Sequence, residues 1–276
     1  MKSAAIIGDA SLTGQCVEIA VQHGLDVVLV ATADPGTGAL AERHGIPTYS
    51  SSDDLAELLD RHPADALLSI AHLRLVPEAA LARVGTAINF HDGPLPDYAG
   101  LNVTCWSIVN GERRHGITWH RMTAAVDAGA IVEERRFDIA ERETAFSLNA
   151  RCFESALESF PTVVRSLLDD DVAGRPQPER TRPAFRRIDR PVVLVDGHGS
   201  AADLDRSVRG LTLGALVVNP MGSVKLVGPE GAVVVNQTQL AGGPGPVVGM
   251  LAAEGGAVRL TTVDADVLLR TESASG

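Results

Sequence analysis

Along the N-terminal part of the chain, apolar residues come in short unbroken runs: SAAIIG at 3–8, LDVVLVA at 25–31, DALLSIA at 65–71 and TAINF at 86–90. Runs that are continuous rather than alternating mark strands buried on both faces. Residues 11–23 and 55–61 instead read as helices, with Gly24 as a C-cap after the first and Pro63 beyond the second. Residues 77–83 open on Pro77, a residue suited to a first helical turn. Strands and helices alternating at this spacing predict an α/β domain with a mostly parallel sheet, covered on both sides.

The pattern changes after residue 100. Residues 102–110 predict a helix closed by Asn-Gly, and 115–122 and 130–139 predict β segments separated by the loop TAAVDAG. Residues 144–169 predict a long helix, with Leu148, Cys152, Ala156, Phe160, Val163 and Leu167 at helical spacing. Residues 170–191 are rich in proline and arginine and lack apolar periodicity, so they read as an interdomain linker. Beyond a helix at 201–211, short strands at 224–227, 232–240, 247–252, 257–262 and 267–269 are joined by Gly-rich turns. That predicts a small β-rich domain, barrel-like or an open sheet, ending in a loose TESASG tail. The expected organisation is a catalytic domain at 1–170, a linker at 171–191 and a C-terminal β-rich domain at 192–276.

Charge narrows the function. The 276 residues carry a formal net charge of −11 at pH 7. A nucleic-acid footprint needs clustered Lys and Arg to displace counterions, so no nucleic-acid partner is expected. Lys2 and Lys225 are the only lysines, which reads as codon bias before phosphate recognition. Aromatic residues make up 4% of the chain, leaving aliphatic side chains to fill the core. Cys16, Cys105 and Cys152 are far apart and show no zinc spacing. An odd cysteine count without a signal-peptide pattern fits a reducing cytoplasm, and no apolar run suggests a membrane span.

The stretch INFHDGPLPDYAG at 88–100 holds the most specific chemistry. In a strand Asn89 and His91 share a face, at the carboxyl end where open α/β sheets bind ligands. Histidine moves protons near neutral pH, and an asparagine amide can stabilise an oxyanion. Asp127, in a tight loop before Gly129, is the best candidate to hold or charge the imidazole. Asn, His and Asp with no Ser or Cys nucleophile beside them suit direct acyl transfer to an incoming amine. Asn-x-His also arises often by chance, and a structural histidine hydrogen-bonded at a strand end is the competing reading.

The surrounding motifs weigh against that competitor. AHLRLVP, INFHDGPLPDYAGLN, the helix containing Trp106, NGERRHGITWHRM and VDAGAI occur in that order. Together they resemble the folate-dependent formyltransferase family, which includes glycinamide-ribonucleotide, methionyl-tRNA, and sugar or peptide-synthetase formyltransferases. The resemblance covers about the first two-thirds of the chain; the rest is weakly similar to the C-terminal domain of the methionyl-tRNA enzymes. It implies a Rossmann-like catalytic domain, with Asn89, His91 and Asp127 as the catalytic set and 10-formyltetrahydrofolate as cofactor. Leu73, Arg74, Leu75 and Val76, with Met122, Ala124, Ala125 and Val126, match the loops that hold the pterin, largely through backbone groups. No metal is implied.

Two departures bear on the acceptor. Where tRNA and nucleotide members usually read His-Pro-Ser, this chain reads His91-Asp92-Gly93, like the domains attached to peptide synthetases. The acidic balance also lacks the basic face of a tRNA enzyme. Both favour a primary amine on a natural-product intermediate, such as an amino sugar, an amino acid or a carrier-bound aminoacyl group. That would suit antibiotic biosynthesis in the cytoplasm. Formimino or other one-carbon transfer, methionyl-tRNA formylation and formyl-folate hydrolysis are the rivals. The C-terminal domain could dock a carrier, build a homodimer or remain from a tRNA-binding ancestor.

Other residues read as structural. The turn from Gly8 to Gly14 could cradle an anion but lacks a P-loop lysine, and a plain βα turn is favoured. His72, in the pterin loop, is a weak candidate for a side-chain role. His115 and His120 form no metal pattern, and His120 reads as structural. Asp92 could touch the acceptor amine, though Asp-Gly-Pro is ordinary turn chemistry. The cysteines read as buried apolar residues, Arg113-Arg114 as solvated charge, and Trp106 and Trp119 as packing near the cleft.

Overall fold

A computed structural model describes residues 1–191, 194–195, 198–214, 219–228, 231–243, 249, 251–254 and 256–272. The chain begins with β1 (Ser3–Ile7), α1 (Ser11–Gln22), β2 (Asp26–Ala31), α2 (Pro35–Arg43) and β3 (Thr48–Tyr49). Next come α3 (Leu55–Arg61), β4 (Ala66–Ser69), the single turn α4 (Glu78–Leu81) and β5 (Thr86–His91). Then α5 (Val103–Val109), β6 (Arg114–Arg121), β7 (Ile131–Asp138) and the long α6 (Ala145–Leu168) follow.

These strands make a seven-stranded sheet in the order β3-β2-β1-β4-β5-β6-β7. The pairs from β3 to β5 are parallel, and β6 runs antiparallel to β5. Alternate residues of β1 feed two cores. Ala4 and Ile6 pack with Leu12, Cys16 and Val17 of α1 and Phe160 and Val163 of α6. Ala5 and Ile7 pack with Leu55, Leu58 and Leu59 of α3. Both faces of the strand are therefore buried, which is why its sequence is continuously apolar.

Beyond 191 the described elements are β8 (Leu194–Val195), α7 (Ala201–Leu211), β9 (Lys225–Gly228), β10 (Gly231–Leu240), β11 (Leu251–Glu254), β12 (Ala257–Thr261) and β13 (Asp266–Glu272). They include a six-stranded sheet in the order β11-β12-β13-β10-β9-β8. Among the described residues β11 and β8 are its edges, and Val208 and Leu211 of α7 are among its core residues. The strand expected at 247–252 begins instead at Leu251, with 247, 248 and 250 outside the described residues, as is the tail from 273.

Contacts group the chain into two units that cross the expected boundaries. One holds Met1–Leu101, Gly116–Phe137 and Arg151–Phe185; the other holds Asn102–His115, Asp138–Ala150 and Arg186–Gly276. The expected linker therefore divides at Phe185, and α5 groups with α7 in the second unit. A boundary read from composition follows the chain, whereas packing joins pieces distant in sequence.

Candidate active site

β5 runs into the site with alternating side chains. Phe90 faces the core, its ring 5.1 Å from that of Trp119, while Asn89 and His91 share the other face. Trp119 is itself fully buried and donates through Nε1 to Ser159 Oγ at 2.9 Å, so it packs in the core. The antiparallel register sets Asn89 opposite His120 and His91 opposite Thr118.

The rigid loop after His91 is held by its neighbours. Thr118 Oγ1 donates to the Gly93 carbonyl at 2.8 Å and accepts the Leu95 N–H at 3.2 Å. The Leu95–Pro96 peptide is cis. His91, 5% exposed, has Nε2 2.5 Å from the Tyr98 carbonyl. A carbonyl can only accept, so Nε2 carries the proton and Nδ1 is left facing Asp127 Oδ2 at 3.8 Å.

Asp127 holds a left-handed backbone conformation, φ 49°, which is uncommon for a residue other than glycine. Its carboxylate accepts the Gly100 N–H at 2.8 Å and lies 3.4 Å from His120 Nε2. Burial acts to raise its pKa, but His91, His120 and the Gly100 amide outweigh burial. The carboxyl stays well below the usual carboxylate range and ionised at neutral pH.

His120 belongs to this cluster, although its sequence context reads as structural. Its Nδ1 lies 2.9 Å from the Arg121 carbonyl and must carry a proton. Nε2 then meets Asn89 Nδ2 at 3.2 Å and the Asp127 carboxylate at 3.4 Å. A neutral ring accepts from Asn89 and orients that amide; an imidazolium donates to Asp127. The signal was present in β6, where Thr118 and His120 alternate with the apolar Ile117 and Trp119. The missing piece was the register against Asn89.

Val76 and Met122, one from each expected cofactor loop, pack against the same apolar cluster. Above it, Leu73 and Leu75 are 72% and 78% exposed and Val126 is 43% exposed. Ala124 and Ala125 are also exposed. Arg74 instead turns back to donate to the Ser51 carbonyl and to Ser51 Oγ at 2.9 Å. Exposed apolar side chains beside loop backbone suit a flat ring with polar edges.

At the β1–α1 turn, Gly8 is required by close approach, since a Cβ there would lie 1.8 Å from the Ile70 carbonyl oxygen. Asp9 occupies the turn, accepting the Ala33 N–H at 2.9 Å and meeting His72 Nδ1 at 3.0 Å. Burial opposes its ionisation, but hydrogen bonds from Ser51, Ala33 and His72 hold its pKa low. A carboxylate here repels an anion, in keeping with a plain βα turn. His115 is buried against Ser107 Oγ at 2.9 Å, and the three cysteines are buried and form no disulfide among the described residues. Among the described residues no cluster of three or more His, Cys, Asp or Glu could hold a metal, and no helix is long and apolar enough to cross a membrane.

A sequence profile described as formyl transferase matches residues 5–164. The chain belongs to the formyl transferase family. This formyl transferase is similar in fold to an N-formyltransferase from Helicobacter canadensis solved with folinic acid and dTDP-3-aminofucose. There the TM-score is 0.78 at 15% identity, covering 99% of this chain and 100% of that one. WlaRD, a sugar 3N-formyl transferase solved with dTDP and 5-N-formyl-THF, gives a TM-score of 0.75 at 15% identity, covering 99% and 98%. HypX from Aquifex aeolicus, solved with tetrahydrofolic acid, gives 0.68 at 16% identity, covering 96% of this chain and 43% of that one.

Proposed function

We propose that this formyl transferase moves a formyl group from 10-formyltetrahydrofolate to a primary amine on a small or carrier-bound natural-product intermediate. The observation that carries the reading is the meeting of Asn89, His91 and Asp127 at the end of β5, beside loops with exposed apolar side chains. Similar folds solved with folinic acid or tetrahydrofolate support the cofactor. An amino sugar in one of them supports an amine acceptor, alongside the amino acid and aminoacyl alternatives.

Leu73, Leu75 and Val126 would cover the pterin ring, and the backbone of 73–76 and 122–126 would meet its polar edge. Bound cofactor would supply the formyl carbonyl and leave as tetrahydrofolate, its C–N bond to the formyl carbon breaking as its nitrogen takes up the proton lost by the amine. Asn89 would donate its amide N–H to the oxygen that gains charge as the amine attacks. His91 would help hold that oxygen and shuttle the proton lost by the amine. Asp127, kept ionised, would orient His91, offset imidazolium charge and accept the amine's proton transiently through water. The loop at His91-Asp92-Gly93, where tRNA and nucleotide enzymes usually read His-Pro-Ser, favours a small or carrier-bound amine as acceptor.

The test is mass spectrometry of amine candidates incubated with enzyme and 10-formyltetrahydrofolate. One added formyl group on an amine supports the proposal. Formate release without any amine points to hydrolysis, and a formimino adduct to the related transfer. Asp127→Asn should still bind folate while turnover falls by a factor of about 100 or more; near-normal turnover would sink the assignment of Asp127.

A further inference from the structure

The segment 175–185, whose composition reads as a spacer, is bonded to both loops that carry the site. Gln177 Nε2 donates to the carbonyls of Asp127 at 3.0 Å and Gly129 at 2.7 Å. Arg180 Nη2 donates to the carbonyls of Val126 at 2.9 Å and Asp127 at 3.1 Å. Together they tie down the backbone on which Asp127 keeps its left-handed conformation. Arg175 adds a backbone bridge to Ile131, just past that loop.

The same segment grips the other side. Phe185 N–H donates to the Ala99 carbonyl, and the Phe185 carbonyl accepts the Leu101 N–H, each at 2.9 Å. These bonds bracket Gly100, whose own amide holds the Asp127 carboxylate. The Phe185 ring stacks on the Tyr98 ring at 5.7 Å, and the Arg182 guanidinium lies 4.7 Å from the Tyr98 ring. Tyr98 provides the carbonyl that meets His91 Nε2. Pro176, Pro178 and Pro183 restrict the free segment and lower the entropy lost when it is ordered.

We propose that 175–185 is a positioning strap that sets the alignment of Asp127 with His91. Gln177 and Arg180 act through the 126–129 backbone, and Arg182 and Phe185 act through Tyr98 and Gly100. The strap touches no reacting atom in this scheme. Its effect on rate rests on the roles proposed above for Asn89, His91 and Asp127. An alignment error near 1 Å between reacting groups can cost roughly 100-fold in rate, so a brace on both partners has leverage beyond its stability.

The full chain carrying Gln177→Ala, Arg180→Ala, both together, or Arg180→Lys tests this with two separate readouts. Amide exchange at Gly100, resolved by NMR, needs no substrate. It should quicken about tenfold in the double variant while β1 and β4 amides keep their protection. Steady-state transfer, on an amine that the wild type formylates, should show kcat down about tenfold or more with both KM values within about twofold. Arg180→Lys keeps a cationic donor and should recover much of kcat, which a merely structural role does not require. Unchanged Gly100 exchange, or unchanged kcat in the double variant, overturns the strap. If the wild type formylates no amine, the functional reading fails, and Gly100 exchange alone decides the strap.

Discussion

The Gly100 amide donates to Asp127 Oδ2 at 2.8 Å, a bond that joins the loop after β5 to the loop between β6 and β7. It gives the carboxylate a backbone donor beside the two imidazole rings that face it. Gly100 can take this position only without a side chain: its φ is 97°, and a Cβ would lie 2.1 Å from the Phe185 carbonyl oxygen. Gly100→Ala is therefore expected to lower stability by about 1–3 kcal/mol and to reduce turnover as well. Urea unfolding with a steady-state assay checks both; an alanine variant of wild-type stability would contradict the close approach.

Asp127 also links the site to pH. Its folded pKa lies below the ordinary 3.8, so its contribution to stability is present above that value and lost as pH falls through the lower folded one. Asp127→Asn cannot titrate. Its unfolding free energy should fall less steeply than the wild type's between about pH 5 and pH 3. Parallel pH profiles for the two proteins would show that the carboxylate is not held low.

His120 is expected to matter through Asn89 and Asp127. His120→Phe keeps a ring but removes both nitrogens, and should lower kcat by about 10- to 100-fold. His120→Gln restores an amide near Nε2 and should recover part of the loss. Equal activity in wild type and His120→Phe would return this residue to a purely structural role.

Leu73 and Leu75 stand mostly in solvent, so polar replacements there should cost the fold little. Covered by a bound pterin, each side chain would contribute apolar contact. Leu73→Ser with Leu75→Ser should raise the Kd for folate by about tenfold or more, with the unfolding midpoint almost unchanged. Folate titration by intrinsic fluorescence reads this directly, and an unaltered Kd would move the pterin elsewhere.

The parallel strands were legible because burial on both faces demands unbroken apolar runs. Asn89 and His91 were legible because alternation puts them on one face at a carboxyl end. The segment 35–49 carries no such signal in its sequence. PGTGALAER has two glycines and little amphipathic pattern, and α2 begins where Asp34 caps the Thr37 amide at 2.8 Å with Pro35 beside it. His120 needed the β5–β6 register, which no local spacing encodes. The bonds of Gln177 and Arg180 run from side chains to carbonyls of a distant loop, so local composition, rich in proline and arginine, does not encode them.

Thr118 gives the loop after His91 its shape from outside, by one hydroxyl placed between the Gly93 carbonyl and the Leu95 amide. That loop thus takes its backbone course from a neighbouring strand. On the same loop, the Asp97 carboxylate accepts a hydrogen bond from Thr181 Oγ1 at 3.2 Å. Under the proposed function, substitutions along this loop would change acceptor preference while Asn89, His91 and Asp127 stay in place.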